Sequence, residues 1–539
     1  MEELWSSGLT ESASIVSDIE LQCQSEETIP QFVIAVRLAD SLSKQQRYCE
    51  AIEHYERVIR CMKAEIEGGQ SFGKEGDEGV GESDVRMRLA TCQYKMKQYG
   101  FVLETLRPIV HKMKGQCSVQ AAALCATTHM KLGQRNDAVD CYKDVLRRCP
   151  LALEAINGLL RAGVKSAEIL LLIPSEILSR YCWLSVWIDA REKMEKFYFK
   201  DAVTVLQSLT DKSVESSELL AELAYSQWMA GQLDDARKSF RRARCLNTFV
   251  ISHMDSYAHL LFIDNNQTEL ENLHNKINHY SLATSLQQSS QQHCESWIAI
   301  SYLSYLTDKK TRALYFSQKA CSLDDTNVEA IILSGFLLYK FNKPQEGVLQ
   351  YRQAVMLSPG HFYANEGLVL CLVECPQKWS AELTVQTLLK TVGYSARAYV
   401  LWGIAISNDD EANRKRKREM FMKAISMDAT LSRAHLLLAE SFRDSQQCDR
   451  AIKTLEAGLS QVEVGQVTSL LIALAEILQL VGRPEDAMEQ YKSALRLNPN
   501  CDQALHGLRE VEARITDYEP LTDFTGEYEF DPQATDTEI

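Results

Sequence analysis

The chain has 539 residues, 45% of them hydrophobic and 24% charged, and a formal net charge of −15. A single hydrophobic core stops growing beyond roughly 250–300 residues, so a chain of this length folds as several domains or as an array of repeats. The acidic balance argues against a nucleic-acid partner, which needs a basic footprint, and the longest aliphatic run, residues 169–173, is too short to span a bilayer.

The first 150 residues contain the start of a repeating helical pattern. Residues 1–30 are expected to precede the repeats, and residues 31–150 to form a first array of helical hairpins. A loop rich in glycine and glutamate, residues 66–83, interrupts this array, and its composition is typical of disorder. Small and aromatic residues that would pack the helices together recur along the array, at Ala51, Tyr55, Ala126, Ala138, Tyr142 and Pro150.

The regular helical repeat is interrupted in the middle of the chain and then resumes. Residues 151–182 predict an irregular helical junction, because Pro174 should interrupt a helix. Residues 183–499 then predict a second and longer array, in which small leading residues follow one another in steps of 34, 34, 43, 34 and 34 residues, at Ala202, Ala236, Leu270, Ala313, Gly347 and Ala381. Other packing positions of this array are Ala224, Phe240, Trp297, Gly335, Tyr351, Pro359, Ala475, Ala487, Tyr491 and Pro499.

The recurring step of 34 residues is the signature of the tetratricopeptide repeat (TPR), a pair of antiparallel helices that stacks on its neighbours. The sequence therefore predicts an all-α TPR solenoid, or superhelix, of about a dozen repeats. Residues 500–514 are expected to form a capping helix with a polar outer face. Residues 515–539, with eight acidic side chains and no basic one, are expected to form a disordered acidic tail.

The chemistry-bearing residues give little support for catalysis. No glycine-rich phosphate loop, H-E-x-x-H or G-x-S-x-G motif occurs in the sequence. Cys371 and Cys375 are one helical turn apart and His293 adjoins Cys294, but a structural zinc site needs four ligands, so packed thiols are favoured over metal. We predict a protein that is not an enzyme and that has no catalytic residue, cofactor or metal.

Two further features have both a structural and a functional interpretation. One is a run of five basic residues, Arg414, Lys415, Arg416, Lys417 and Arg418. A solvated helix face is favoured over a nuclear-localisation or anion-binding element. An intermediate hypothesis is a helix face that docks an acidic partner. Core packing is favoured over a peptide pocket as the role of three tryptophans, Trp183, Trp187 and Trp297. The aromatic residues of the tail favour a solvated end over a docking strip; they are Tyr518, Phe524, Tyr528 and Phe530.

The irregular segment distinguishes this chain from a generic TPR protein. Residues 149–169 read CPLALEAINGLLRAGVKSAEI, and WLSVWI follows at residues 183–188. With Trp297, the RALY sequence at 312–315 and DAMEQYKSALRLNPN at 486–500, this stretch resembles subunit 7 of the anaphase-promoting complex (cyclosome). The likeness extends over roughly residues 31–510. The glycine- and glutamate-rich insertion and the short acidic tail depart from the family.

The resemblance implies a scaffold subunit of a multisubunit ubiquitin ligase that controls mitotic cell-cycle progression. It also implies a homodimer through the N-terminal repeats and contacts with other TPR subunits and with small accessory subunits. Neither a nucleic acid nor a membrane is an expected partner. The expected location is intracellular, in the nucleus and cytoplasm and at the spindle.

Two other classes of function fit the sequence less well. A stand-alone peptide-binding adaptor or co-chaperone would place Lys and Asn on successive first helices, whereas the first repeat here offers Arg37 and Asp40. An enzyme with attached repeats would need a catalytic domain, and the repeats leave only the two ends of the chain, which are too short to bury a catalytic core.

Overall fold

The structure, a computed structural model, describes residues 31–67, 81–112, 116–211, 216–285, 294–375, 378–407, 410–462, 467–499 and 501–518. All regular secondary structure in these ranges is helical, in 28 helices. The predicted all-α TPR fold is therefore confirmed. None of the helices in the described ranges is long and apolar enough to cross a membrane.

The chain divides into two compact units, Met1–Ala364 and Asn365–Ile539. The described helices of the first unit are α1 (Gln31–Lys44), α2 (Tyr48–Glu67), α3 (Glu82–Lys95), α4 (Tyr99–Lys112), α5 (Gln116–Lys131), α6 (Arg135–Arg148), α7 (Leu153–Arg161), α8 (Ser166–Leu172), α9 (Ser175–Arg180), α10 (Cys182–Glu195), α11 (Phe199–Asp211), α12 (Ser217–Ala230), α13 (Leu233–Leu246), α14 (Met254–Ile263), α15 (Gln267–Ser285), α16 (Cys294–Leu306), α17 (Lys310–Leu323), α18 (Val328–Lys340) and α19 (Pro344–Leu357).

Helix α20 (Phe362–Glu374) contains the division between the units. The described helices that follow it are α21 (Lys378–Val392), α22 (Ala396–Ala405), α23 (Glu411–Met427), α24 (Ser432–Asp444), α25 (Cys448–Leu459), α26 (Val467–Val481), α27 (Pro484–Leu497) and α28 (Asp502–Tyr518). The division falls within residues 183–499, which the sequence predicts to be one array.

The hairpins form because small residues and turn residues occur together. In the hairpin of α26 and α27, Ala475 and Ala487 are fully buried, which lets the two helices approach closely. Gly482 follows α26 with a positive φ of 82°, a conformation that favours glycine. Pro484 then begins α27, where its missing N–H leaves no hydrogen bond unmade.

Polar contacts add to the apolar packing between the first repeats. The Tyr55 hydroxyl on α2 donates a hydrogen bond to the Asp40 carboxylate on α1. The same carboxylate forms an ion pair with Arg88 on α3. Asp40 therefore connects both helices of the first hairpin to the second hairpin.

Residues 151–182, predicted as an irregular junction, contain the three short helices α7, α8 and α9. Helix α8 ends at Leu172, and Pro174 occupies the N-cap of α9. A proline in the middle of a helix would remove a hydrogen bond and clash with the preceding turn, so it separates these two helices.

Three predicted boundaries shift in the structure. Helix α2 continues to Glu67 and α3 begins at Glu82, so the interval between them is shorter than the predicted loop of residues 66–83. Helix α2 extends this far because its last turns contain strong helix formers. Helix α28 extends to Tyr518, beyond the predicted cap of residues 500–514, because its helical period continues past the buried Ala504 and Val511. Residues 1–30, 68–80 and 519–539 lie outside the described residues.

Candidate protein-interaction site

The first unit contains a cavity of about 240 Å³ between several of its repeats. Side chains of α7, α10, α11, α12, α14 and α18, with those of the short connections beside them, face this space. The lining residues are Arg161, Arg191, Met194, Glu195, Phe197, Phe199, Tyr225, His253, Asp255, Ser256, Asn327, Val328, Glu329, Ser358 and His361. Charged, polar and aromatic groups therefore face one space that is partly open to solvent, as in sites that bind an inserted segment.

Glu329 is the most buried charged residue of the cavity, with 4% of its surface exposed. Its Oε2 lies 3.0 Å from Nδ1 of His259, and its Oε1 lies 3.2 Å from Nε2 of His361. Burial alone would raise the pKa of Glu329, but the charges and hydrogen bonds of the two imidazoles outweigh it and hold the pKa well below its usual range. The carboxylate is therefore fixed in place from both sides.

A second carboxylate, that of Asp255, lies in the same polar cluster. Its Oδ2 accepts a hydrogen bond of 3.0 Å from the Asn327 amide, while the Asn327 side-chain oxygen caps α18 by accepting from the Ala330 backbone N–H. Burial and the neighbouring Glu329 charge raise the pKa of Asp255. The two carboxylates thus have opposite pKa shifts, because the imidazoles outweigh burial at Glu329 and the hydrogen bonds to Asp255 do not.

Arg191 supplies positive charge from α10. Its guanidinium lies 3.7 Å from the Glu222 carboxylate and 5.7 Å from the centre of the Trp187 ring. Its Nε donates to the Asn157 side chain at 3.1 Å. The Trp187 indole N–H also donates to Glu222, at 2.9 Å, so the guanidinium is held in one position.

Aromatic stacking forms another wall of the cavity. The Tyr225 and His253 rings stack with their centres 4.4 Å apart. Burial, followed by the Arg191 charge, lowers the pKa of His253 to about 3, so this imidazole is neutral at physiological pH. The arrangement offers hydrogen bonds, fixed charges and aromatic faces to a bound group.

The thiols noted in the sequence are held in apolar surroundings. Cys371 and Cys375 are both buried, and burial raises the pKa of Cys371 to about 12, which keeps the thiol protonated. Burial also raises the pKa of Cys294. His293 lies outside the described residues. In the part of the chain that is described, no group of three or more His, Cys, Asp or Glu side chains could hold a metal ion.

The sequence-predicted packing residues lie in the hairpins and do not line the cavity. Their alanines, glycines, tyrosines and Phe240 are buried, Trp297 and Pro150 are partly buried, and Pro359 and Pro499 are exposed beyond helix ends. Trp187 is buried and Trp183 is partly buried. Sequence reasoning missed the cavity, although Glu329 within the apolar helix sequence VEAIILSGFLLYK was a usable signal.

The basic run lies on α23 in the second unit. Arg418 is buried and pairs with Glu411 at 3.0 Å, and Arg414 contacts the same carboxylate at 3.4 Å. Arg416 reaches Glu382 on α21 at 3.3 Å and covers the Trp402 ring at 5.9 Å. Burial lowers the pKa of Lys417, and Lys415 is exposed. The three arginines thus contribute to contacts inside the unit.

An apolar groove opens on the same unit, between α23 and α25 and above α24. Its volume is about 350 Å³. We call it the α23–α25 groove, and its lining residues are Met422, Ile425, His435, Leu438, Phe442, Arg450, Lys453, Thr454 and Ala457.

Comparison with known proteins agrees with the hairpin fold. A family model described as tetratricopeptide repeat matches residues 468–501, which correspond to the hairpin of α26 and α27. The crystal structure of the APC/C hetero-tetramer Cut9–Hcn1 includes a chain that superposes with a TM-score of 0.55 at 15% identity, covering 95% of both chains. This likeness concerns the fold. The chain thus has the fold of tetratricopeptide-repeat proteins.

The curated relatives extend the likeness far beyond one repeat. Anaphase-promoting complex subunit 7 of Homo sapiens is 27% identical over 512 residues, which cover 93% of this chain and 87% of the relative. The subunit 7 of Arabidopsis thaliana is 23% identical over 521 residues, which cover 92% of this chain and 90% of the relative. The TPR chain thus resembles anaphase-promoting complex subunit 7 along nearly its whole length.

Proposed function

We propose that this TPR protein is a non-catalytic scaffold subunit of the anaphase-promoting complex, a multisubunit ubiquitin ligase, and that it acts in mitotic cell-cycle control. The observation that carries the proposal is the match to subunit 7 over 93% of the chain and 87% of the human relative. Because the likeness covers nearly the whole chain, it concerns a whole architecture and not a single common repeat.

The physical basis of such a function is a large surface built from stacked hairpins. Helices α1–α6 form three hairpins, α10–α19 form five and α22–α27 form three. Each hairpin buries its alanines against its neighbours and leaves its polar face outward. Arrays of this kind serve as binding surfaces, and other TPR subunits and small accessory subunits are the proposed partners.

Homodimerisation through residues 31–150 is part of the proposal. Among the described residues of this array, three large apolar side chains are exposed: Met96 at 37%, Phe101 at 60% and Leu132 at 43%. A second copy that covered them would bury the apolar surface that obligate interfaces favour. Phe101 on α4 is the largest of the three and is the best position for a test.

The dimer test compares two exposed apolar positions on helices. Size-exclusion chromatography with light scattering on the full chain should give twice the 61.1 kDa chain mass. Phe101→Asp should shift the mass towards the monomer, whereas Leu349→Asp, at a position 64% exposed on α19, should leave it unchanged. A wild-type monomer at tens of micromolar would contradict the dimer.

The complex itself is tested by purification. The chain, tagged and expressed in its own cells, should recover other anaphase-promoting complex subunits at near-equal molar amounts by quantitative mass spectrometry. Immunofluorescence should place it in the nucleus and cytoplasm and at the spindle, which is the proposed location. Recovery of the chain alone, or with a chaperone, would favour the stand-alone adaptor instead.

A further inference from the structure

We propose that the acidic C-terminal segment of this chain, residues 519–539, docks into the α23–α25 groove of its own second unit. The groove is preformed and apolar, and its edge carries basic side chains. The segment that follows α28 carries aromatic and acidic side chains in alternation. The two surfaces are therefore complementary in both polarity and charge.

The floor and one wall of the groove are apolar. Leu438 and Phe442 on α24 form the floor, and both are nearly buried. Met422 and Ile425 on α23 form the wall, and Met422 is 47% exposed. A flexible thioether beside a Phe ring suits an aromatic occupant, because sulfur–aromatic contacts are favourable and methionine adapts its shape.

Basic residues border the groove on the α25 side. Arg450 and Lys453 line it, and both are exposed. Arg450 donates a hydrogen bond of 3.2 Å to Gln447, and among the described residues neither side chain has an ion-pair partner. Lys415 lies two turns before Met422 on α23, on the same side of the helix, and is also exposed.

The C-terminal segment offers the matching groups. Residues 519–539 contain seven acidic side chains and no basic one. Phe524, Tyr528 and Phe530 are interleaved with Glu527 and Glu529. In an extended strand, alternate residues point to opposite sides, so Tyr528 and Phe530 share one side and can enter the groove together. The carboxylates along the segment supply the negative charge that the basic border attracts.

The segment is long enough to reach the groove. Helix α28 ends at Tyr518 and packs on α26 and α27, and α26 packs in turn on α24 and α25. Packed helices are separated by about 8–10 Å, so the groove lies about two to three helix spacings, or roughly 20–30 Å, from α28. The ten residues from Tyr518 to Tyr528 span up to roughly 33 Å when extended.

The test uses a fluorescent peptide of residues 519–539 and two forms of the chain. The form that ends at Tyr518 has an empty groove, and we expect it to bind the peptide with a Kd of tens of micromolar by fluorescence anisotropy. In the full chain the tethered segment competes at an effective concentration of about 1 mM. The added peptide should then bind at least tenfold more weakly to the full chain.

Charge reversal locates the docking surface. The double substitution Arg450→Glu and Lys453→Glu in the shortened chain should weaken peptide binding at least tenfold. Lys492→Glu, at another exposed lysine of the second unit, on α27, is the control and should change binding less than twofold. A peptide with Tyr528→Ala and Phe530→Ala should also bind at least tenfold more weakly. Circular dichroism should show that each variant is folded.

Several results would overturn the proposal. One is the absence of peptide binding to the shortened chain at several hundred micromolar, and another is equal binding to the shortened and the full chain. An unchanged Kd after the charge reversal of Arg450 and Lys453 would show that the peptide binds outside the groove. Competition in the full chain that disappears on dilution would assign the groove to the segment of a second copy. These measurements need no other subunit, so they are independent of the proposed function.

Discussion

The substitution Gly158→Ala adds a single methyl group and should test how closely helices α6 and α7 pack. A Cβ on Gly158 of α7 would lie 2.3 Å from Cζ of Tyr142 and 2.5 and 2.7 Å from two other ring atoms. Tyr142 on α6 is 5% exposed, so its ring has little room to move. Gly158→Ala should therefore force the two helices apart or turn the ring from its rotamer.

The expected cost follows from two opposing effects. Overpacking a tight core costs about 1–3 kcal/mol, and three ring atoms in conflict place this site in the upper half of that range. Alanine regains about 1 kcal/mol of helix propensity relative to glycine. The net effect of Gly158→Ala is a loss of about 1–2 kcal/mol, which should lower the melting temperature of the first unit by a few degrees.

Thermal melts followed by circular dichroism measure this effect against a matched control. Gly100→Ala makes the same change in α4, where no atom lies within 4 Å of the added Cβ, and should leave stability unchanged or slightly raised. In a Tyr142→Leu background, Gly158→Ala should cost clearly less, because the ring is gone. A Gly158→Ala protein as stable as the wild type would refute the helix contact between α6 and α7.

Two other predictions concern buried polar groups. Tyr55→Phe removes the hydrogen bond to Asp40 and should lower the free energy of unfolding by about 1–3 kcal/mol in chemical denaturation, since the carboxylate stays part-buried. An unchanged unfolding transition would show that this hydrogen bond does not stabilise the fold. Burial, followed by the Asp255 charge, raises the pKa of Glu295 to about 7. The folded state therefore holds this proton more tightly, and the stability contributed by Glu295 falls as the pH rises from about 4.5 to about 7. Glu295→Gln should raise stability by about 1–3 kcal/mol at pH 8 and have little effect at pH 4.5 in thermal melts; an equal effect at both pH values would contradict the shift.

Much of the fold could be predicted because TPR packing follows local rules. Ala475 and Ala487 mark the helix crossing, and Gly482 and Pro484 mark the turn between helices. All four lie within one 34-residue unit, so spacing along the sequence reports their contact directly. The break between α8 and α9 could be predicted in the same way, from Pro174.

The cavity could not be predicted because its groups are distant in sequence. Glu329 meets His259 and His361, which are 70 and 32 residues away. Glu329 stands out as a charged residue within an apolar helix, but His259 and His361 look like ordinary polar positions, and only the stacking of separate repeats brings the three together. The division near residue 364 has the same origin, since it depends on which repeats contact one another.

The most direct test of the central claim is size fractionation of a native cell extract. A subunit of the anaphase-promoting complex should elute with the other subunits in a peak of ubiquitin-ligase activity, far larger than twice its own 61.1 kDa. Depletion of the chain with an antibody should remove those subunits from the same fractions. Elution of the chain as a free monomer or dimer, with the ligase subunits undisturbed by its depletion, would contradict the account.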